Sequence, residues 1–199
     1  MSGVAKLDEV REEARGCRRC DLWRLGTQTV FGEGPASAAA LFVGEQPGND
    51  EDLEGRPFVG PAGRVFDEGL ADAGIDRVEA YVTNAVKHFK WTPKGNRRIH
   101  QKPNWGEMTA CRPWLEAEIA LVRPRVVVAL GATAAQDLLG RQFRVTKERG
   151  TVHESDVHRC VVATVHPSSI LRGPPEDRAE AMEAFVADLR VVAGLIAAT

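Results

Sequence analysis

Residues 44–63 form a segment rich in glycine, proline and acidic residues, and its carboxylates are the first candidates for catalysis. Five glycines and three prolines exclude a regular helix or strand here and predict a tightly turning loop. A loop of about twenty residues is long for a simple connection. We therefore interpret it as functional, with Glu45 as a buried general base or charge stabiliser and Asp52 as a second such group on its far side. Phe58 adds an aromatic face to the same loop.

Cys17 and Cys20 have the two-residue spacing that is typical of metal-binding or redox-active cysteine pairs. A metal site needs further ligands, and Cys111 and Cys160 are the remaining cysteines. Cys160 lies in an apolar run, where a free cysteine often acts as a small buried hydrophobe. His88 is the best candidate of another residue type. The spacing alone does not distinguish zinc from an iron–sulfur cluster.

Two polar residues interrupt or follow apolar runs. Asn84 lies inside the run at residues 80–86, and its amide offers the donors and the acceptor that can read the edge of a nucleic-acid base. For this residue taken alone, a hydrogen bond to neighbouring backbone is the simpler explanation. His166 precedes Pro167, which restrains the backbone before it and thereby fixes the direction of the imidazole.

Residues 87–102 form a concentrated cationic loop with six lysines or arginines, two histidines and no acidic residue. Phe89 and Trp91 alternate with the charges, a combination typical of a groove that binds phosphates and stacks bases. A solvated surface segment is the alternative. His100 lies in this segment. The predicted phosphate contacts are its cationic residues: Lys87, Lys90, Lys94, Arg97, Arg98 and Lys102.

Alternating strands and helices must position these candidates. Short β-branched runs predict four buried strands, at residues 38–43, 80–86, 125–130 and 160–165. Helical spacing of apolar residues predicts four helices, at residues 62–73, 107–122, 132–139 and 178–197. The alternation predicts a single α/β domain over residues 1–199, with a mostly parallel four-stranded sheet flanked by helices. The polar clusters follow the carboxyl ends of these strands, the edge at which open α/β sheets bind ligands.

The composition is that of an ordinary globular domain. Of 199 residues, 43% are hydrophobic and 27% are charged, which excludes intrinsic disorder and a fibrous architecture. No apolar window is long enough for a membrane span, and the N-terminal segment lacks the apolar region of a secretory signal. We therefore expect a soluble, cytoplasmic protein without a disulfide framework. The net charge of −2 argues against a general polyanion binder, so any phosphate binding is expected at the cationic segment.

Longer motifs are more specific than any single residue. They are CRRCDLW, FGEG, GEQPGNDEDLEGRPFVGPAG, YVTNAVKH, ACRPWLEAEI, RPRVVVALGATA, the Arg-Gly at 149 and 150, and VHPSSILRGP. Together they resemble the uracil-DNA glycosylase superfamily, in its iron–sulfur branch called family 4, over nearly the whole chain. Family 4 members typically carry Cys at the position of His88 and Ala at that of Gln46. These departures and the NRRIH segment resemble the UdgX subgroup, although its usual KRRIH has Asn96 in place of the lysine here.

The resemblance implies the three-layer fold of uracil-DNA glycosylases and a 4Fe–4S iron–sulfur cluster. The cluster ligands that it implies are Cys17, Cys20, His88 and Cys111. Around the sugar and the uracil it places Glu45, Gln46 and Asp52. It further implies that Phe58 stacks on the base, that Asn84 reads the base edge and that His166 faces the uracil O2.

By the same resemblance, Arg98 helps to set the NRRIH segment and His100 attacks the deoxyribose. Cleavage of an N-glycosidic bond builds positive charge on the sugar and negative charge on the uracil, and Glu45 and His166 fit the stabilising roles. Glu45 is also the natural group to take or hold the imidazole proton.

The sequence therefore predicts an enzyme that excises uracil from DNA and becomes covalently linked to the resulting sugar through His100. The alternatives are a hydrolytic family 4 enzyme that releases its product and a non-catalytic, metal-stabilised nucleic-acid binding module. The expected partner is uracil-containing, single-stranded DNA, with no membrane partner and a monomeric state.

Overall fold

A computed structural model describes residues 3–198 as alternating strands and helices. The strands span Ala40–Gly44 (β1), Tyr81–Asn84 (β2), Trp91–Lys94 (β3), Arg97–His100 (β4), Val126–Leu130 (β5), Val152–His153 (β6) and Val161–Thr164 (β7). The helices span Gly3–Arg15 (α1), Asn49–Glu54 (α2), Pro61–Asp72 (α3), Trp105–Val122 (α4), Ala132–Leu139 (α5), Val145–Glu148 (α6), Pro167–Arg172 (α7) and Arg178–Ala197 (α8). Among these helices, none is long and apolar enough to cross a membrane.

The central sheet has five strands in the order β2-β1-β5-β7-β6. Its four long strands are parallel, which confirms the predicted α/β class and the predicted parallel strands. The two-residue β6 adds an antiparallel edge to β7, which the sequence analysis does not predict. Gly44 and Asn84 are paired across β1 and β2, so the ends of these two strands lie side by side.

Alternate side chains of the strands supply two separate cores, one on each face of the sheet. Leu41 and Val127 face a core that includes Leu115 of α4 and residues of α1 and α5. Phe42 and Val128 face the opposite core, to which α3 and α8 contribute. Both faces of the strands are buried because helices cover the sheet on both sides, as expected of a parallel sheet.

Two segments that are predicted as loops contain regular elements, so both predictions are wrong in part. Helix α2 lies within residues 44–63, and the cationic segment contains a β-hairpin. Strands β3 and β4 pair antiparallel, with Trp91 opposite His100 and Lys94 opposite Arg97. The two-residue turn between them is possible because Gly95 adopts a φ of 58°. The indole N–H of Trp91 donates to the carbonyl of Leu25 at 2.7 Å, which holds the hairpin against the preceding loop.

Lys87 is buried, so its prediction as a phosphate contact is also wrong. Its Nζ donates to Glu118 Oε2 at 2.5 Å, to Thr83 Oγ1 at 2.6 Å and to the carbonyl of Asn84 at 2.6 Å. Both Lys87 and Glu118 have 0% of their surface exposed. A buried ammonium is tolerated only with such a full set of partners, and the set ties the end of β2 to α4.

Candidate active site

A cavity of about 770 Å³ opens at the carboxyl edge of the parallel strands. Glu45 follows β1, Asn84 ends β2, Gly131 follows β5 and His166 follows β7, and all four line this cavity. His100, at the end of β4, lines it from the hairpin side. The structure thus brings together residues that are far apart in sequence, as the alternating strands and helices predict.

The Glu45 carboxylate is held between two side chains. Its Oε2 accepts a hydrogen bond from the hydroxyl of Thr133, near the start of α5. Its Oε1 lies 3.4 Å from Nε2 of His100. The carboxylate therefore has a fixed direction and faces the imidazole of the hairpin.

His100 is half-exposed at the cavity, with its ring centroid 6.0 Å from that of Phe89. Burial lowers the pKa of its imidazole below the ordinary value, Glu45 opposes this shift and Arg172 adds to it. The neutral imidazole, which has one unprotonated nitrogen, is therefore favoured at neutral pH. An unprotonated ring nitrogen is the form that can act as a nucleophile.

His166 presents a defined tautomer to the cavity. Its Nδ1 accepts a hydrogen bond from the backbone N–H of Ser168 at 3.2 Å, so the proton of the neutral ring is assigned to Nε2. Burial, together with the nearby Arg172 and His100, lowers the pKa of His166 to about 4. At neutral pH the ring is thus an uncharged hydrogen-bond donor, comparable to a neutral catalytic histidine whose pKa is lowered by its surroundings.

The side chains of Asn84 and Phe58 both lie close to Gly44. A Cβ at Gly44 would lie 2.3 Å from Asn84 Oδ1 and 2.8 Å from Phe58 Cζ, so only glycine leaves room for both side chains. Within residues 3–198, no hydrogen bond is made by the side-chain amide of Asn84, although the residue is only 2% exposed. This geometry argues against a purely structural Asn84. The ring of Phe58 is stacked near His166, with centroids 5.9 Å apart.

Gln46 lines the cavity, but its amide is bonded to the base of the hairpin. Its Nε2 donates to the carbonyls of Lys90 and Gln101, and its Oε1 accepts from the N–H of Lys90 at 3.2 Å. These residues precede β3 and follow β4. Gln46 therefore fastens the hairpin that carries His100 to the end of β1.

Asp52 and Arg98 do not line this cavity, which differs from the predicted position of Asp52 around the sugar and the uracil. The buried Asp52 carboxylate accepts from Arg98 Nη1 at 2.6 Å and from the backbone N–H of Thr27 at 2.8 Å. Arg98 also donates to Asn49 Oδ1 at 2.9 Å. The pair links α2 to β4, which agrees with a role of Arg98 in setting the hairpin.

Three cysteines gather on one side of α4. Cys20 and Cys111 pack against one small cluster of apolar residues, and Cys17 Sγ accepts a hydrogen bond from the indole of Trp114, which packs against the same cluster. Cys111 Sγ accepts from the backbone N–H of Lys87 at 3.2 Å, and burial raises the pKa of its thiol to about 12. Cys160 instead packs against the core formed with α3 and α8.

His88 is connected to the Cys17 loop through Thr29. The hydroxyl of Thr29 donates to the carbonyl of Ala14, so it accepts from Nε2 of His88, 3.0 Å away. The Ala14 carbonyl also accepts the N–H of Cys17. Nδ1 of a neutral His88 is then left with a free lone pair. Within residues 3–198, no three His, Cys, Asp or Glu side chains are grouped so that they could hold a single metal ion.

Thr133 and Arg172 line the cavity, although the sequence analysis assigns neither a role at the site. Thr133 belongs to the polar cluster that follows the third predicted strand, at the carboxyl edge of the sheet where ligands are expected. Arg172 ends α7, and its Nη1 donates to Ser168 Oγ at 2.9 Å. Nothing in the local pattern of the sequence indicates that this arginine approaches two histidines.

The sequence profile of the Uracil DNA glycosylase superfamily matches residues 31–190. The type-4 uracil-DNA glycosylase of Thermotoga maritima is 40% identical over 167 residues, which cover 83% of each chain. The enzyme of the same description from Archaeoglobus fulgidus is 38% identical over 180 residues, 86% of each chain. That from Sulfurisphaera tokodaii is 36% identical over 178 residues, 84% of this chain and 77% of the relative. The profile and these similarities establish that the chain belongs to the uracil-DNA glycosylase superfamily.

Proposed function

We propose that this protein is a uracil-DNA glycosylase, which cleaves the N-glycosidic bond between uracil and deoxyribose in DNA. The observation that carries the proposal is the convergence of a base-reading amide, Asn84, with the Glu45–His100 pair and the neutral His166 in one cavity. The type-4 relatives support the same reaction.

Recognition of uracil is assigned to Asn84 and Phe58. The unpaired Asn84 amide can accept from the N3–H of uracil and donate to its O4. Cytosine has no hydrogen on N3 and carries an amino group in place of O4. In the same orientation, the oxygen and the NH2 group of the Asn84 amide would therefore both lack a partner. Phe58 supplies the aromatic face on which the extruded base stacks.

Bond cleavage is assigned to His166 and Glu45. As the bond breaks, its electron pair leaves with the uracil, and negative charge develops on the uracil oxygens. The Nε2–H of His166 is proposed to donate to O2. The Glu45 carboxylate is proposed to stabilise the positive charge that develops on the sugar.

The type-4 relatives support hydrolysis of the sugar intermediate better than they support covalent capture. A water molecule adds to C1′, with Glu45 as the base that accepts its proton, and the abasic product is released. DNA with a single-stranded uracil is the favoured substrate, because an unpaired base costs less to extrude.

A second candidate is covalent capture by His100, as in the UdgX subgroup. The observation that favours it is the 3.4 Å approach of His100 Nε2 to Glu45 Oε1, together with the lowered pKa of the imidazole. In this reaction the unprotonated ring nitrogen forms a bond to C1′ as the bond to uracil breaks. The proton on the other ring nitrogen passes to Glu45 or to solvent, and the uracil anion takes up a proton from water.

Denaturing electrophoresis of a labelled, uracil-containing single strand distinguishes the two fates. Hydrolysis gives a strand whose mobility is unchanged before alkali treatment and which alkali then cleaves at the abasic site. Covalent capture gives a slower, boiling-resistant band that is lost in His100→Ala. A boiling-resistant band of equal strength from His100→Ala would exclude His100 as the nucleophile.

The cysteine region is proposed to hold a 4Fe–4S cluster through Cys17, Cys20, Cys111 and His88. Three thiols and one imidazole are a donor set that iron accepts, and N–H groups directed at two of the sulfurs suit thiolates with partial charge. Each ligand of such a cluster binds a different iron atom, so the four need not surround one point as around zinc. When bound, the cluster would stabilise the junction between the N-terminal loop and α4.

Iron and acid-labile sulfide analysis of anaerobically purified protein tests this assignment. We expect the wild-type protein to be brown, with broad visible absorption. This absorption should be weaker in His88→Ala and unchanged in Cys160→Ala. Colourless protein with stoichiometric zinc would refute the cluster. Loss of colour in Cys160→Ala, with colour retained in His88→Ala, would move the fourth ligand to Cys160.

A further inference from the structure

Thr133 is nearly buried at the start of α5, and its hydroxyl donates to Glu45 Oε2. The other carboxylate oxygen of Glu45 is the one that faces His100 Nε2, at 3.4 Å. We propose that Thr133 is a positioning residue for the reaction, and that its hydroxyl sets the direction of the Glu45 carboxylate. This inference rests on the proposed function and goes beyond it by assigning a role to a residue outside the base-reading and nucleophilic groups.

The fold brings Thr133 to Glu45 through two neighbouring strands. β1 and β5 are adjacent and parallel, so Glu45 and the start of α5 meet at the same edge of the sheet. Gly131 makes the sharp turn from β5 into α5, with a φ of 93°. A Cβ at Gly131 would lie 2.8 Å from the Cβ of His166, so the close turn depends on glycine. This turn therefore fixes the backbone position of Thr133 at the start of α5.

The hydroxyl bond matters because a carboxylate attached through two methylene groups can rotate. One donor on Oε2 restricts this rotation and leaves Oε1 free for the reacting groups. Preorganised charge of this kind lowers the barrier of a reaction that develops positive charge on the substrate.

Two substitutions separate this role from a packing role. Thr133→Val keeps the shape of the side chain and removes the hydroxyl, whereas Thr133→Ser keeps the hydroxyl and removes the methyl group. If the hydroxyl positions Glu45, the valine variant is impaired and the serine variant is active. If Thr133 only fills space, the order is reversed.

The experiment measures the single-turnover rate of uracil excision at saturating enzyme, with the affinity for uracil-containing single-stranded DNA measured separately. We expect Thr133→Val to lower the rate by at least about tenfold, with a change in affinity below about threefold. Thr133→Ser should return the rate to within about threefold of wild type.

Thr164→Val is the matched control. Thr164 is also a buried threonine whose hydroxyl donates to a carboxylate, that of Asp188, outside the cavity lining. This variant should lower the melting temperature and leave the excision rate unchanged. A Thr133→Val rate equal to wild type, or a serine variant slower than the valine variant, would overturn the positioning role while leaving the proposed function intact. Wild-type protein that excises no uracil would overturn both.

Discussion

Gln46 is bonded through its side chain to both backbone groups of Lys90, the residue that precedes the cationic hairpin. Its Oε1 accepts from the Lys90 N–H and its Nε2 donates to the Lys90 carbonyl, each at 3.2 Å. An alanine at this position, which is usual in family 4, could make neither bond. The Gln46 amide therefore holds the base of the hairpin that carries His100.

Replacement of Gln46 by Ala should loosen the hairpin. We expect amide hydrogen exchange in residues 91–100 to accelerate, because the hydrogen bonds at the hairpin base are lost. If a His100-dependent adduct forms, its yield should decrease more than the rate of uracil excision does. Gln142→Ala is the control, since Gln142 is an exposed glutamine that lies outside the hairpin and its base. Unchanged exchange in Gln46→Ala would contradict the fastening role.

Lys87 is predicted to matter for stability and not for electrostatic attraction of DNA. Lys87→Met leaves Glu118 buried without its cation, which should cost about 3–5 kcal/mol in the free energy of unfolding. The double variant Lys87→Met/Glu118→Met should recover part of that loss, because no unpaired charge remains. Urea denaturation measures both. A destabilisation below about 1 kcal/mol for Lys87→Met would show that the pair is not buried as described.

Arg97 is predicted to contact phosphate, since it is exposed at the hairpin turn beside Lys94. Arg97→Ser should weaken binding to single-stranded DNA and reduce the slope of log affinity against log salt concentration by about 0.7. Titrations at several salt concentrations measure this slope. Arg190→Ser, on α8, should not change it, and an equal effect of the two substitutions would argue against the hairpin as the DNA contact.

His166 should make stability depend on pH. Its folded pKa of about 4 lies below the ordinary 6.5, so between these values the unfolded chain binds a proton that the folded protein does not. Stability should therefore fall as the pH is lowered from 6.5 to 4, by up to about 3 kcal/mol from this residue. His166→Gln should show a shallower decline in urea denaturation over that range. An equally steep decline would mean that other groups, such as His100, carry the dependence.

The sequence predicts the parallel strands and several helices well because their signals are local. The helices at residues 132–139 and 178–197 have the predicted bounds. The hairpin escapes prediction because its strands have four residues each and one contains Pro93. The burial of Lys87 escapes it because the partner, Glu118, lies 31 residues away in the chain.

The candidate site is predictable only in part, for a related reason. Glu45, Asn84 and His166 each lie in or directly after an apolar run that forms a strand, so the sheet alone brings them together. The contacts of Asp52 with Arg98 and of Thr133 with Glu45 depend on how loops and helices dock, which no local pattern encodes.

Uracil excision itself is tested most directly on a labelled single-stranded oligonucleotide that carries one uracil, compared with matched strands that carry thymine or cytosine. After incubation with the wild-type protein, denaturing electrophoresis before and after alkali should show an abasic site or a boiling-resistant adduct at the uracil only. Asn84→Ala should lose this product or its preference for uracil, whereas Asn96→Ala, in the exposed hairpin turn, should still form an abasic site there. Binding of the uracil strand without either product would contradict the proposed function. Excision by Asn84→Ala at the wild-type rate and with the wild-type preference would contradict the assigned pocket.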